Sequence, residues 1–210
     1  MRERLTILIL TKNEETKLPR CLESVRWADE VIVVDGQSTD RTRDLARQFG
    51  ATVIERPFSG SFAEERNAGL AAAHGDWVLQ MDADEAVSPG LRAAIERLLR
   101  EGSPHAALKL RRRNEFLGRE MRYGGWYHYH TALFRRQLAR YEGLVHERLQ
   151  IQGTVGVPAG WFEQGQLAGH RRAVYALLDR AAADDRLVDD RARRVERDEQ
   201  EVPVRSSAER

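Results

Sequence analysis

Asp82 and Asp84 stand one residue apart, directly after the apolar run Trp77-Val78-Leu79-Gln80-Met81. Two carboxylates just past a buried strand can place one on a ribose hydroxyl and the other on a hard divalent cation, Mg²⁺ or Mn²⁺, which prefers oxygen ligands and bridges to a diphosphate. An Asp-x-Asp pair alone is weak, because it also arises by chance as a solvated turn. Here it has company. Leu5 to Leu10 leads into Thr11, Asn13 and Glu14, and Val31 to Val34 leads into Asp35, Ser38 and Asp40. Acids gathered beyond several buried strands form a negative rim, and crowded like charges are costly unless a cation or a hydrogen-bonding ligand offsets them. Arg66, on the helix before the Asp82 strand, reads either as a surface arginine or as a cation that meets a nucleotide at this rim. No Gly-x-Gly-x-x-Gly follows the first strand and no Gly-Lys-Ser/Thr loop occurs, which argues against dinucleotide binding and against an NTPase.

The elements that must position these residues alternate. Leu5 to Leu10 is a nearly continuous apolar run, the pattern of a strand buried on both faces in a parallel sheet. Pro19 suits the first turn of a helix. Val31 to Val34 is a second strand, Thr39 to Phe49 a helix stopped by Gly50, and Thr52 to Glu55 a third strand. Phe62 to Ala73 is a helix that Gly75 closes, Trp77 to Met81 is a fourth strand, and Pro89 opens a helix with Leu91, Ile95, Leu98 and Leu99 on one face. Ala106 to Leu110 is a further strand. The order β-α-β-α-β-α-β-α-β predicts an α/β fold, an open and mostly parallel sheet flanked by helices, whose ligands bind beyond the carboxyl ends of the strands. After residue 111 the texture changes to a Gly- and aromatic-rich stretch, then short strands at Leu133-Phe134, Arg140-Tyr141 and Val145 to Ile151, a small antiparallel C-terminal addition. Ala173 to Ala183 is a short helix, and residues 184–210 are a charged, flexible tail. The expected division is 1–110, then 111–183 as a second part of the same domain, and 184–210 for the tail.

Composition sets outer bounds. The chain has 210 residues, enough for one well-buried α/β domain. A formal net charge of +1 supplies no field for general nucleic-acid binding. The single Cys21 excludes an intramolecular disulfide and reads as a packed helix residue. The sequence shows neither a leader pattern nor an apolar run of membrane-spanning length, so the expected location is cytoplasmic. Arg111-Arg112-Arg113 reads as a solvated basic edge or as a surface for phosphorylated groups or anionic lipid.

Several ordered segments resemble one family. Thr11-Lys12-Asn13-Glu14-Glu15, Cys21-Leu22-Glu23-Ser24-Val25, Val33 to Thr42, Ala63 to Leu70 and Gly75 to Glu85 resemble the opening of family 2 glycosyltransferases of the GT-A (Rossmann-like) fold. Phe116-Leu117-Gly118, Gly124-Gly125-Trp126-Tyr127, Leu133 to Arg136 and Ala139 to Glu147 look like a branch that includes lipopolysaccharide-core glucosyltransferases. The resemblance covers roughly residues 5 to 157 and is far more specific for family than for donor or acceptor.

That resemblance implies an inverting hexose transfer, from a UDP-sugar such as UDP-glucose to a glycolipid or oligosaccharide acceptor, with 1–110 binding the nucleotide sugar, 111–183 on the acceptor side, and peripheral contact at the inner membrane face. Thr11 and Asp35 would lie near the nucleotide base, Arg66 beside base or diphosphate, Asp82 at the ribose and Asp84 on the metal. Glu147, in Val145-His146-Glu147, is the candidate general base, against the alternative of a strand-edge acid paired with Arg148 or Arg140. His146 would orient the diphosphate or Glu147, or simply pack. Trp126 and Tyr127, with Tyr129, read equally as a sugar-stacking platform on the acceptor side and as rim packing. The sequence departs from the family where an aspartate usually follows Gly-Gly-Trp-Tyr, since His128-Tyr129-His130 stands there, and where an arginine usually precedes Leu-Phe-Arg, since Ala132 stands there. Beyond Gly160 the usual histidine-aromatic segment and long helix are altered. A nucleotide-sugar-binding protein without turnover, or the same chemistry on a polysaccharide or protein acceptor, therefore stands as the alternative.

Overall fold

The apolar runs form the expected parallel strands. In the computed structural model β1 (Leu5–Thr11), β2 (Glu30–Asp35), β3 (Thr52–Glu55) and β4 (Trp77–Asp82) lie in the order β3-β2-β1-β4, every neighbouring pair parallel. The helices between them are α1 (Leu18–Ser24), α2 (Thr42–Phe49) and α3 (Phe62–Ala72). The structure describes residues 2–116, 119–120, 128–143, 147–156 and 167–169, with backbone alone at 111–116, 119–120, 128–129 and 167–169. These residues belong to the first of two compact units, Met1–His170; the second, Arg171–Arg210, lies outside the described residues, as do the short helix and charged tail expected there.

Both faces of β1 are covered, which is why its sequence does not alternate with polar residues. Leu5, Ile7 and Ile9 pack with Leu18, Cys21 and Leu22 of α1 and with Leu91, Ile95 and Leu98 of α4 (Pro89–Glu101). Leu8 faces the opposite layer, with Ile32, Val34 and Val78 against Ala63 and Leu70 of α3. α3 sits so close that a Cβ on Gly69 would fall 2.2 Å from Leu8 Cδ1. Gly75 has a different role from the expected helix stop. α3 ends at Ala72, and a Cβ on Gly75 would lie 2.7 Å from the Thr6 backbone nitrogen, so this position is glycine because two backbones nearly touch.

The second half of the sheet is where the expected arrangement is refined. β5 (Ala86–Val87), β6 (Ala107–Phe116), β7 (Arg119–Glu120) and β8 (His128–Arg135) follow in the chain. β8 does not stand in a peripheral addition. It runs antiparallel between β4 and β6, in the middle of the main sheet. Ala132, Leu133 and Phe134 are wholly buried there, Leu133 in one core layer and Phe134 in the other. The antiparallel addition proper is β9 (Ala139–Glu142) with β10 (Arg148–Ile151). β11 (Val155–Gly156) and β12 (Leu167–Gly169) pair with β6, and β12 also pairs with β5, which begins two residues beyond Asp84.

Helix α2 begins at Thr42, three residues later than the apolar spacing predicts. Asp40 accepts hydrogen bonds from the Thr42 N–H (3.0 Å) and hydroxyl (2.5 Å), which holds residues 39–41 in a loop. This is the familiar competition of Asp side chains with helical backbone.

Candidate active site

Register brings the strand ends to one edge. Thr11 is opposite Asp35 across β1 and β2, and Leu10 is opposite Asp82 across β1 and β4. With strands about 4.8 Å apart, the Asp35 and Asp82 backbones lie on the order of 10 Å from each other, with the end of β1 between them. A diphosphate and its neighbouring sugars are of that size.

The loops after β1 and β2 are clasped together by the very residues the sequence singles out. The Asn13 N–H donates to Ser38 Oγ (2.8 Å), and the Ser38 hydroxyl donates to Asp35 Oδ2 (2.5 Å). The Thr39 N–H donates to Asn13 Oδ1 (2.8 Å), the Glu14 N–H to Thr42 Oγ1 (2.8 Å), and the Glu15 N–H to Asp40 Oδ2 (3.2 Å). The Glu14 carboxylate meets Lys17 at 3.0 Å. Asn13, Ser38 and Asp40 thus shape the rim by holding its loops to one another, and Asn13 adopts a positive φ of 55°, which Asn tolerates. Burial works to raise the Asp40 pKa, but the Thr42 hydroxyl and N–H and the Glu15 N–H outweigh it and hold the carboxyl below its ordinary value. Asp35 is wholly buried, and Thr11 Oγ1 is buried with no hydrogen-bond partner among the described residues.

β4 ends in a tight turn. The Glu85 N–H donates to the Asp82 carbonyl (3.0 Å), and the Asp82 N–H donates to Glu85 Oε2 (2.9 Å). Ala83 and Glu85 are buried, while Asp82 and Asp84 are only partly buried. Cys21 lies beneath, its Sγ 3.7 Å from the Asp82 carbonyl. Burial, then the Glu85, Asp82 and Asp84 charges, push its thiol well above the ordinary range, so it is no nucleophile.

Helix α3 supplies the cation. Arg66 Nη2 lies 3.2 Å from Glu147 Oε1, with Nε 3.3 Å from the same oxygen, and 3.9 Å from Asp82 Oδ1. The Arg66, Asp82 and Glu147 side chains are 12%, 23% and 21% exposed, which sets this grouping apart from exposed ion pairs that contribute little. Glu147 therefore meets Arg66, not the Arg148 or Arg140 that its sequence neighbourhood offers. Two residues with no assigned role join the site. The Arg66 guanidinium lies 5.5 Å from the centre of the Tyr141 ring, and Asn67 pins Tyr141 by donating to its carbonyl (2.8 Å) and accepting from its N–H (3.0 Å). Burial first, then Glu147 and Asp82, overcome the opposing Arg66 charge and push the Tyr141 hydroxyl up to about 12. The dipeptide Arg66-Asn67 on the helix was the available signal; nothing local to residue 141 marks it. Trp126, Tyr127 and His146 lie outside the described residues.

Among the described residues no group of three or more His, Cys, Asp or Glu side chains is arranged to hold a metal ion. Asp82 and Asp84 supply hard carboxylate oxygens, the donor type that Mg²⁺ takes together with a substrate's phosphates. The donor set thus suits a cation that is completed by a diphosphate. No helix among the described residues is long and apolar enough to cross a membrane.

Comparison with known proteins bears on the whole arrangement. The chain is 41% identical over 95 residues to an uncharacterized glycosyltransferase of Rickettsia conorii, a stretch of 45% of this chain and 33% of that protein. It is 28% identical over 167 residues to the lipopolysaccharide core biosynthesis glycosyltransferase LpsC of Rhizobium meliloti, across 72% of this chain and 59% of that one. The chain thus spans about a third of the Rickettsia relative and about three fifths of LpsC. Its fold matches S. aureus TarS, crystallised in complex with UDP, with a TM-score of 0.60 at 17% identity over 80% of this chain and 60% of that chain. The family described as Glycosyl transferase family 2 matches residues 6–160, from β1 to beyond β11, and the chain belongs to that family.

Proposed function

We propose that this chain carries an inverting, cation-assisted glycosyl transfer that moves a hexose, glucose from UDP-glucose, to a glycolipid or lipopolysaccharide-core acceptor at the inner membrane face. The observation that carries the reading is the meeting of Arg66, Asp82 and Glu147 at the carboxyl edge of the sheet, beside Asp84. The UDP complex of TarS supports a uridine nucleotide, and the name of LpsC supports the acceptor class.

Each residue then has a task. Thr11, with its unpartnered buried hydroxyl, and Asp35 line the place for the base. Asp82 accepts from the ribose, and Asp84 holds the cation. A divalent cation bound there offsets the negative charge that grows on the departing diphosphate. Glu147 accepts the proton of the acceptor hydroxyl as that oxygen attacks the anomeric carbon from the face opposite the leaving diphosphate, so configuration inverts and the proton ends on Glu147. Tyr141 keeps its proton throughout, since its pKa is pushed up to about 12, and does not compete as a base.

Calorimetry against UDP, GDP, CDP and dTDP, each with and without Mn²⁺, tests the donor half without an acceptor. The expected result is Mn²⁺-dependent binding of UDP, lost in Asp84→Ala. Equal binding in that variant would remove Asp84 from the cation, and binding of another nucleotide instead would replace the donor.

A further inference from the structure

Arg66 serves its neighbours unequally. Two of its nitrogens, Nε and Nη2, converge on a single oxygen of Glu147 at 3.3 and 3.2 Å. The approach of Nη2 to Asp82, 3.9 Å, is too long for a hydrogen bond. Nη1 is buried and has no hydrogen-bond partner among the described residues. A guanidinium has five donors in a fixed fork that matches phosphate as well as carboxylate, so this one keeps unused capacity. One nitrogen, Nη2, faces both the Asp82 turn and the candidate base.

We infer that Arg66 is a donor-sensing positioning residue, which holds the Glu147 carboxylate until a diphosphate at the Asp82–Asp84 rim draws the guanidinium away. The inference rests on the donor-binding reading above. The base then becomes available to an acceptor hydroxyl only once a donor is in place.

Three features of the site favour such a shift. A diphosphate offers more charge and more acceptor oxygens than the single Glu147 oxygen now engaged, and it supplies a partner for Nη1. The Tyr141 ring, 5.5 Å from the guanidinium, is a flat face along which a cation moves while keeping its attraction to the π system. The segment bearing the base is held without help from Arg66. Asn67 clamps Tyr141 of β9 through two hydrogen bonds, and β10 pairs with β9 from Arg148, opposite Glu142, onward. Releasing the Glu147 side chain therefore leaves its backbone in place.

Carbodiimide coupling of a small amine to carboxyl groups, read at Glu147 by peptide mass mapping at one fixed pH, tests this in the full chain. UDP and Mn²⁺ are added to one arm, and calorimetry on the same preparation records whether nucleotide binds. The wild-type protein is expected to couple at Glu147 several-fold faster with nucleotide than without. Arg66→Gln is expected to couple fast in both arms. A bound nucleotide that leaves Glu147 coupling unchanged, or slows it, in the wild-type protein overturns the inference while the donor reading stands. Absence of any calorimetric binding by UDP, GDP, CDP or dTDP with Mn²⁺ overturns both.

Discussion

Removing one member of the Arg66, Asp82 and Glu147 grouping has unequal consequences, because the three are mostly buried and share a single cation. Glu147→Gln keeps shape and hydrogen bonding but cannot take a proton. It is expected to bind nucleotide at least as tightly as the wild type, because Arg66 is held less firmly, while turnover falls by about 10²- to 10⁴-fold. If the glutamine variant transfers sugar at the normal rate, another residue is the base. Cys21 gives a second test at this scale. Its thiol is buried and pushed well above the ordinary range by burial and by the nearby carboxylates. Native protein is expected to resist iodoacetamide at neutral pH and to react fully once unfolded, as read by mass. Labelling of the folded chain at the rate of a free thiol would show that α1 does not seal the underside of the Asp82 turn.

At the scale of elements, α3 joins the halves of the site. Its glycine lets it lie against β1, and its Asn67 reaches β9. Gly69→Ala forces a methyl toward Leu8 Cδ1, 2.2 Å from the added Cβ, and is expected to cost about 1–3 kcal/mol in urea unfolding, the usual penalty of overpacking. Asn67→Ala leaves the Tyr141 N–H and carbonyl without their partners and is expected to cost about 1–3 kcal/mol. Because β9 and β10 carry the approach to Glu147, the Asn67 variant is also expected to lose turnover beyond its loss of stability, with nucleotide affinity unchanged. A variant with normal turnover would mean that the clamp does not position the base.

Across the whole molecule, the sheet is stabilised at its rim by carboxylates that accept several hydrogen bonds. Asp40 is held below its ordinary value of 3.8, burial being outweighed by bonds from Thr42 and the Glu15 N–H. A carboxyl whose folded pKa is lowered stabilises the fold fully above its unfolded pKa and loses that contribution as pH falls through the folded value. The stability difference between wild type and Asp40→Asn is therefore expected to be constant near neutral pH and to shrink below about pH 4, in denaturant titrations across that range. Glu30 follows the same sign at the opposite end of β2. Burial is again outweighed there, by the Thr6 hydroxyl and by the backbone and ring of His74. A difference that grows on acidification would contradict the clasp.

The strands and their order of appearance were legible because a strand covered on both faces leaves a continuous apolar run, as Leu5 to Leu10 does, and because acids that end such runs must lie at one edge of a parallel sheet. The aspartate pair could be named from its place after a buried strand beside other acidic strand ends, whereas Arg66 stayed open between a surface arginine and a site cation until the family resemblance was added. The partner of Glu147 could not, since Arg66 is 81 residues away and local sequence offers Arg148 and Arg140 just as readily. Nor could the middle position of β8, whose short apolar core reads the same at an edge as between β4 and β6. The clasping of Asn13, Ser38 and Asp40 belongs with these, because a polar side chain hydrogen-bonds to whatever the closing chain brings beside it. Local propensity acts over a few residues, whereas these contacts exist only after the sheet has closed.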